Sequence, residues 1–357
     1  MRVAIIGAGL SGLACAYELE KHNISPVIFE KNSFIGEAFP HVGAALNIAS
    51  RPIKDPMEYL KAKVGLDIKP LTTVNKVIHF SPNKMSEIKG NLGYFLNRSM
   101  ELDDLKVQIH SKLRKTNIIF NEYADYKKLS KDYDYVIIGN GDPSVAKELG
   151  CWTDWVNAYV KGAVVLGDFD PNTFIVWVNK DYCKNGYAYL SPFDKKRASV
   201  VLVVTDVNEK EVDHYWELFL QTENIQYRIL ENYKLRHTSG IAKPHKVNNM
   251  LLVGNAGGAM DPFLGFGVLG SLLTGVMSAR SIVTNKNYEK LISKIVKKNL
   301  QFYEFRKAFN DLNNSYFDIL ISSIGTPVIK QLIYDTSLNV VNLGSHLLKI
   351  KNRLSRK

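Results

Sequence analysis

Three stretches of this 357-residue chain run from apolar residues straight into glycine, and glycines placed there can hold phosphate or cofactor groups. In the first, Arg2-Val3-Ala4-Ile5-Ile6 leads into Gly7-Ala8-Gly9-Leu10-Ser11-Gly12, and Leu13, Ala14, Ala16, Tyr17 and Leu19 follow at helical spacing. Gly7 suits the tight turn, Gly9 lets a pyrophosphate approach the backbone, and Gly12 lets the helix pack on the strand. The phosphates would rest on free N–H groups at the positive end of the helix. A second strand, Pro26-Val27-Ile28-Phe29, ends at Glu30, whose carboxylate can accept hydrogen bonds from a ribose diol.

The second stretch, Asp134-Tyr135-Val136-Ile137-Ile138-Gly139, repeats this strand-into-glycine logic and continues into Asn140-Gly141. The third starts at Met250–Val253, runs through Gly254-Asn255-Ala256-Gly257-Gly258 to Asp261-Pro262-Phe263-Leu264-Gly265-Phe266-Gly267, and opens a helix at Val268. Its helix N-terminal N–H groups can stabilise negative charge. A lone nicotinamide dinucleotide has no use for a second glycine loop so late in the chain. An FAD stretched from the first turn to the last does, because a reduced flavin carries negative charge at its N1–C2=O edge.

The positioning elements follow from periodicity. The spacing predicts a long loop over Glu37–Asn47, a helix over Pro56–Val64, and strands over Leu71–Phe80 and Gly93–Leu96. A helix over Leu102–Leu113 and a strand over Ile118–Phe120 come next. Between Trp152 and Tyr233 the texture changes to strands at Val164–Leu166, Thr173–Val178, Gly186–Leu190 and Ser199–Val204, covered by a helix over Glu209–Thr222. Phe263–Val283 is apolar enough to resemble a membrane span, but four glycines from Gly265 to Gly275, together with Arg280, argue for a buried helix beginning at a ligand. Helices over Tyr288–Asn310 and Tyr316–Ile324 precede a basic tail.

The expected fold is α/β: a Rossmann-like FAD-binding domain with an inserted antiparallel β-sheet substrate domain and a helical C-terminus. Residues 1–70, 98–151 and 246–285 make up the nucleotide part, 71–97 and 152–245 the substrate part, and 286–357 the C-terminal region. A hydrophobic fraction of 46% with 23% charged residues fits an ordinary globular protein. Cys15, Cys151 and Cys183 are too scattered for a disulfide framework or a metal cluster. A reducing cytoplasm is the expected compartment, without a signal peptide. The net charge of +11 is concentrated late, at Lys286, Lys290, Lys294, Lys297 and Lys298 and then Lys349, Lys351, Arg353, Arg356 and Lys357. A solvated helix face and an anionic membrane surface both explain such runs. Nucleic acid is not the expected partner, because no recognised module interleaves these charges with aromatics.

These motifs resemble those of glutathione-reductase-type FAD proteins, in the branch shared by group A flavin monooxygenases and geranylgeranyl reductases. Gly7, Gly9, Gly12 and Glu30 match the ADP-binding fingerprint, and Arg98 sits like the arginine that touches the cofactor in that branch. Tyr135–Ser144 is similar to the internal "DG" motif, and Pro262, Gly265 and Gly267, with Ala256 and Gly257, fit the late flavin motif. Gly186-Tyr187-Ala188-Tyr189-Leu190-Ser191-Pro192 resembles the G-Y-x-W-x-F-P stretch that lines the substrate cavity of geranylgeranyl reductases. Tyr187 and Tyr189 share one strand face and suit an apolar polyisoprenoid.

The resemblance implies cofactor contacts from Gly7, Ala8, Gly9, Leu10, Ser11, Gly12, Glu30, Lys31, Arg98, Asn140, Gly141, Gly254, Asn255, Ala256, Pro262, Gly265, Phe266, Gly267 and Val268. It implies substrate contacts from Tyr187, Tyr189 and Pro192, with His41 as a candidate proton donor and no metal. Asn140 and Asn255 depart from the usual aspartates, and the Phe39–Gly43 loop lacks the cysteine often found there. Asparagine keeps the hydrogen bond but brings no charge.

The activity this implies is reduction of C=C bonds in geranylgeranyl or related isoprenoid chains, with NAD(P)H or another reductant as transient electron donor. Two alternatives stay open: a flavin monooxygenase acting on an aromatic or polyketide-like substrate, and a non-catalytic flavin- or prenyl-binding protein. The substrate places the protein in the cytoplasm or at the periphery of a membrane.

Overall fold

The computed structural model describes residues 1–37 and 39–326, so the basic run from Lys349 to Lys357 lies outside the described residues. Two sheets carry the fold. A six-stranded sheet runs in the order Lys246–Val247, Met250–Leu252, Tyr135–Ile138, Val3–Ile6, Val27–Phe29, Asn117–Ile119. All its pairings are parallel except the hairpin between Lys246–Val247 and Met250–Leu252. The first two glycine turns therefore leave neighbouring strands: Ile6 pairs with Ile138 directly before Gly7 and Gly139. Ile138 pairs in turn with Leu252, which brings the third glycine loop alongside. A parallel sheet buried on both faces needs near-continuous apolar strands, and Val3, Ala4, Ile5, Val136, Ile137, Ile138, Leu251 and Leu252 are all buried.

Helix Leu10–Lys21 packs against helix Val268–Thr284, and glycine sets how closely they approach. A Cβ at Gly275 would run into the backbone of Ser11, and one at Gly12 would run into the carbonyl of Gly7. Glu18, 2% exposed, pins the pair by accepting from Arg280 Nε at 2.6 Å and Lys21 Nζ at 2.8 Å. Val268–Thr284 is the buried helix expected from its glycines, and among the described residues no helix is long and apolar enough to cross a membrane.

The eight-stranded sheet has the order Arg228–Ala242, Trp152–Leu166, Arg197–Thr205, Tyr187–Pro192, Thr173–Trp177, Thr72–Ser81, Lys84–Asn97, Val42–Leu46. It is antiparallel apart from the parallel contact of Thr72–Ser81 with Thr173–Trp177. Helix Val212–Thr222 covers it through Val212, Trp216 and Phe219, all buried at the spacing expected of one helical face. The mixed α/β expectation holds, but several elements differ, among them Lys84–Asn97, which begins nine residues before the expected Gly93, and three more in the larger sheet. Val42–Leu46, read as loop within residues 1–70, is an edge strand of the larger sheet. Its Ala- and Gly-rich composition carries no strand signal. Trp152–Leu166 extends a dozen residues further back than expected. Arg228–Ala242, a 15-residue strand, has no counterpart among the expected elements. Tyr233, Leu235, His237 and Ser239 alternate there with Asn232, Lys234, Arg236 and Thr238, a period-2 pattern masked by its charges.

Candidate functional site

A cavity of about 590 Å³ lies between the two sheets and connects all three glycine turns. Gly7, Gly9, Leu10 and Ser11 line it at one end with Glu30 and Lys31, and Asn140 and Gly141 border the same end. Asn255, Pro262, Gly265, Phe266, Gly267 and Val268 line the middle with Arg98 and His41. Tyr187 and Tyr189 line the wall formed by the larger sheet. Ala8, Gly12, Gly254 and Ala256 stand behind the lining: Ala8, Gly254 and Ala256 are buried, and Gly12 packs on Gly7. Pro192 is buried at the strand end, off the cavity surface.

Each end is chemically distinct. Glu30 is 3% exposed and holds the first turn in shape: one carboxylate oxygen accepts from Ala8 N–H at 2.8 Å and the other from Asn32 N–H at 2.9 Å. Accepting two backbone N–H groups leaves lone pairs of the carboxylate for further donors. Buried polar atoms without protein partners also face the cavity. Asn140 Oδ1, Asn255 Oδ1 and Arg98 Nε have none. Native structures rarely leave such atoms unpaired without a ligand or water to satisfy them. These orphaned atoms fit an elongated polar cofactor lying from Glu30 toward Pro262.

The late loop is built by a residue that sequence reasoning passed over. Asp261, 4% exposed, accepts from the N–H groups of Phe263 at 3.0 Å, Leu264 at 2.6 Å and Phe266 at 2.9 Å. Burial raises its carboxyl above the usual range, and the three amides oppose that rise. Tyr187 closes the loop on the sheet by donating its hydroxyl to the carbonyl of Leu264. Behind it, Asn299 donates to Gly258 O at 2.8 Å, so helix Tyr288–Asn310 forms the rear wall. The signal was an acid two residues before a glycine-rich turn, the pattern of a side chain bonding its own backbone.

His41 lines the cavity, but its chemistry differs from the expected proton donor. Burial and then the positive charge of Arg98 push its imidazole down to about 4, so it is neutral at pH 7. Its Nδ1 lies 2.9 Å from Phe39 O, so Nδ1 carries the proton and donates it to that carbonyl, while Nε2 can only accept. Nearby, Glu37 accepts from Arg98, and Lys106 Nζ donates to Glu37 O. Burial would raise the Glu37 carboxyl, yet Arg98 and Lys106 outweigh it and hold it at about 2.

The sheet wall is largely apolar. Val156, Ala158, Val160, Phe174, Val203 and Leu235 share it with Tyr187, Tyr189, Tyr233 and His237. Burial raises the phenols of Tyr187, Tyr189 and Tyr233, which keeps them protonated. His237 and Arg306 also line the cavity, and neither stood out in the sequence. Cys15, Cys151 and Cys183 are buried free thiols, and burial pushes Cys15 up to about 12.

Comparison with known proteins agrees with this geometry. Residues 5–44 match the NAD(P)-binding Rossmann-like domain family. The chain is 24% identical over 332 residues to digeranylgeranylglycerophospholipid reductase 1 of Methanococcoides burtonii, covering 83% of this chain and 78% of that protein. A geranylgeranyl bacteriochlorophyll reductase-like protein from Thermoplasma acidophilum has the same fold at 15% identity, with a TM-score of 0.72 over 97% of this chain and 98% of the other. A triple mutant of a flavin-dependent brominase superposes with a TM-score of 0.67 at 14% identity, covering 99% of each chain. The resemblance carried by the motifs is borne out in sequence and in fold.

Proposed function

We propose that this geranylgeranyl-reductase-like chain is an FAD-dependent oxidoreductase that reduces C=C bonds of an isoprenoid chain. The carrying observation is one continuous cavity, polar and glycine-lined from Glu30 to Gly267 and apolar along the larger sheet. FAD, when bound, supplies hydride at N5, with NAD(P)H or another reductant as the electron source. Gly7 and Gly9 leave the backbone open to a pyrophosphate, Glu30 accepts from the ribose diol, and Asn140, Asn255 and Arg98 offer their unpaired atoms. Asp261 holds the amides of the Phe263–Phe266 turn in place at the same cavity, next to the helix that begins at Val268.

The substrate part of the chain orients an apolar chain and excludes water. Tyr187 and Tyr189 stand 6.0 Å apart by ring centroid on one face, with Phe174 behind Tyr189 at 5.7 Å. Such a wall receives polyisoprenoid methyl groups through dispersion and area burial rather than hydrogen bonds. The proton for the second alkene carbon comes from water or an acid other than His41, whose single N–H is held by Phe39 O. The relatives named as digeranylgeranylglycerophospholipid reductases support an isoprenoid lipid substrate. In this assignment residues 1–70, 98–151 and 246–285 serve mainly the cofactor, 71–97 and 152–245 the substrate, and the C-terminal region 286–357 contributes helix Tyr288–Asn310 behind the late loop.

The test is anaerobic incubation of the dithionite-reduced, FAD-loaded protein with geranylgeranyl lipids. Products heavier by pairs of hydrogens, with matching flavin reoxidation, support the assignment. Flavin that stays reduced beside unchanged lipid overturns it, and oxygen-dependent NAD(P)H consumption stimulated by an aromatic substrate would replace it with monooxygenation.

A further inference from the structure

Arg306 belongs to helix Tyr288–Asn310, lines the cavity beside Tyr187, Phe263 and Leu264, and is only 4% exposed. Its Nε is buried without any partner. Among the described residues no carboxylate lies within ion-pair distance of the guanidinium. The two acids it senses are engaged elsewhere. Asp206 accepts from Asn185 Nδ2 at 2.6 Å and Thr205 Oγ1 at 2.8 Å, and Asp261 accepts from the three loop amides. Two further cations stand close by, Lys180 facing Arg306 and Lys298 facing Asp261. Taking a guanidinium out of water is costly, and the cost is recovered only when an anion accepts its hydrogen bonds. Arginine's planar fork fits a carboxylate or phosphate through two parallel bonds. A cavity whose sheet wall is apolar and whose helical wall presents one unpaired fork is shaped for an amphiphile.

We propose that Arg306 binds an oxyanion, so that the molecule taken up is an apolar chain bearing a carboxylate or phosphate at one end. This rests on the reading of the sheet wall as the seat of an isoprenoid chain, and extends it by fixing which way round the chain lies. The anionic end sits at Arg306, past Tyr187, and the chain runs back along Tyr189 and Val203. Arg306 acts in binding and orientation, and takes no part in proton or hydride transfer.

Calorimetric titration of the FAD-loaded protein tests this without turnover. The probes are geranylgeranyl phosphate, geranylgeraniol, dodecyl phosphate, dodecanol and inorganic phosphate. A bidentate charge-assisted pair predicts that geranylgeranyl phosphate binds roughly 30-fold tighter than geranylgeraniol. In Arg306→Met the ratio should fall below about 3 with geranylgeraniol unchanged, and Arg306→Lys should keep part of the preference. Retained FAD absorbance shows that the variants fold, and the wild-type ratio stands independently of them. Equal wild-type binding of the prenyl phosphate and the prenyl alcohol overturns the oxyanion site and leaves the isoprenoid reading standing. Tight binding of dodecyl phosphate that Arg306→Met abolishes, with no binding of either prenyl compound, supports the oxyanion site and overturns the isoprenoid reading. Competition by inorganic phosphate against dodecyl phosphate supports the site with a free anion as its occupant, and absence of competition supports an anion carried by the chain. No binding of any probe overturns both.

Discussion

Replacing Glu30 by glutamine removes one charge and turns one acceptor into a donor while keeping the side chain's size. In the wild-type protein both carboxylate oxygens accept backbone N–H groups, Ala8 at 2.8 Å and Asn32 at 2.9 Å, at a residue 3% exposed. The amide can satisfy only one of the two and presents N–H to the other. An unsatisfied or opposed buried donor costs about 1–3 kcal/mol. At roughly 2–4 °C per kcal/mol for a chain of this order, the cofactor-free variant should melt about 2–12 °C lower. The ribose diol also loses a charged acceptor, and a difference of about 1.4 kcal/mol there weakens FAD tenfold. Differential scanning calorimetry of the cofactor-free protein and fluorescence titration with FAD separate the two effects. If Glu30→Gln melts at the wild-type temperature and binds FAD equally well, the carboxylate neither holds the first turn nor contacts the cofactor. The adenosine end would then have to lie elsewhere.

Burial pushes His41, His79 and His237 each down to about 4, with burial the first cause in every case. Between pH 6.5 and 4 the unfolded chain therefore binds protons that the folded chain refuses, so stability rises with pH across that window and levels off above it. His79→Asn should lower the slope of unfolding free energy against pH by up to about one proton, or ~1.4 kcal/mol per pH unit, in urea titrations from pH 4.5 to 7; an unchanged slope refutes the assignment. Gly275→Val forces a side chain against the Ser11 backbone and should cost about 1–3 kcal/mol, read as a lower urea midpoint at unchanged m-value. Tyr187→Phe leaves the Leu264 carbonyl without its donor and should destabilise the protein by about 1–3 kcal/mol, with faster FAD release in stopped-flow. Equal release rates would show that the loop is held by Asp261 alone.

What the sequence made legible is what backbone geometry demands of particular residues. Gly7 at φ +97° and Gly12 against the Gly7 carbonyl admit almost no other residue, so strand, glycines and helix could be placed to within a residue or two. The alternation of Tyr187 and Tyr189 placed them on one face for the same reason. Groups defined only by tertiary meeting were not legible. Tyr187, Asp261 and Arg306 come from three separate segments and line the cavity together at the late loop. The strand Arg228–Ala242 was hidden because its outer face is polar and charged, which mimics a loop in a periodicity count.

The charge distribution shows the difference most clearly. Counted along the sequence, helix Tyr288–Asn310 is a run of lysines suited to water or to an anionic surface, and Lys290, Lys294 and Lys297 are indeed exposed. Its opposite face carries Asn299, Phe302 and Arg306, all buried, with Asn299 bonded to the late glycine loop and the Phe305 ring tilted against Phe263 at 6.0 Å between centroids. A helix period of 3.6 sends both sets of residues through the same stretch of sequence, so a net charge cannot tell them apart. Only the apolar neighbours could have: Phe302, Phe305 and Phe309 recur at helical spacing, and Arg306 falls among them rather than among the lysines. A cation inside an aromatic stripe has left the solvated face, and the oxyanion proposed for the cavity would supply the direct partner that Asp206 and Asp261, engaged elsewhere, do not.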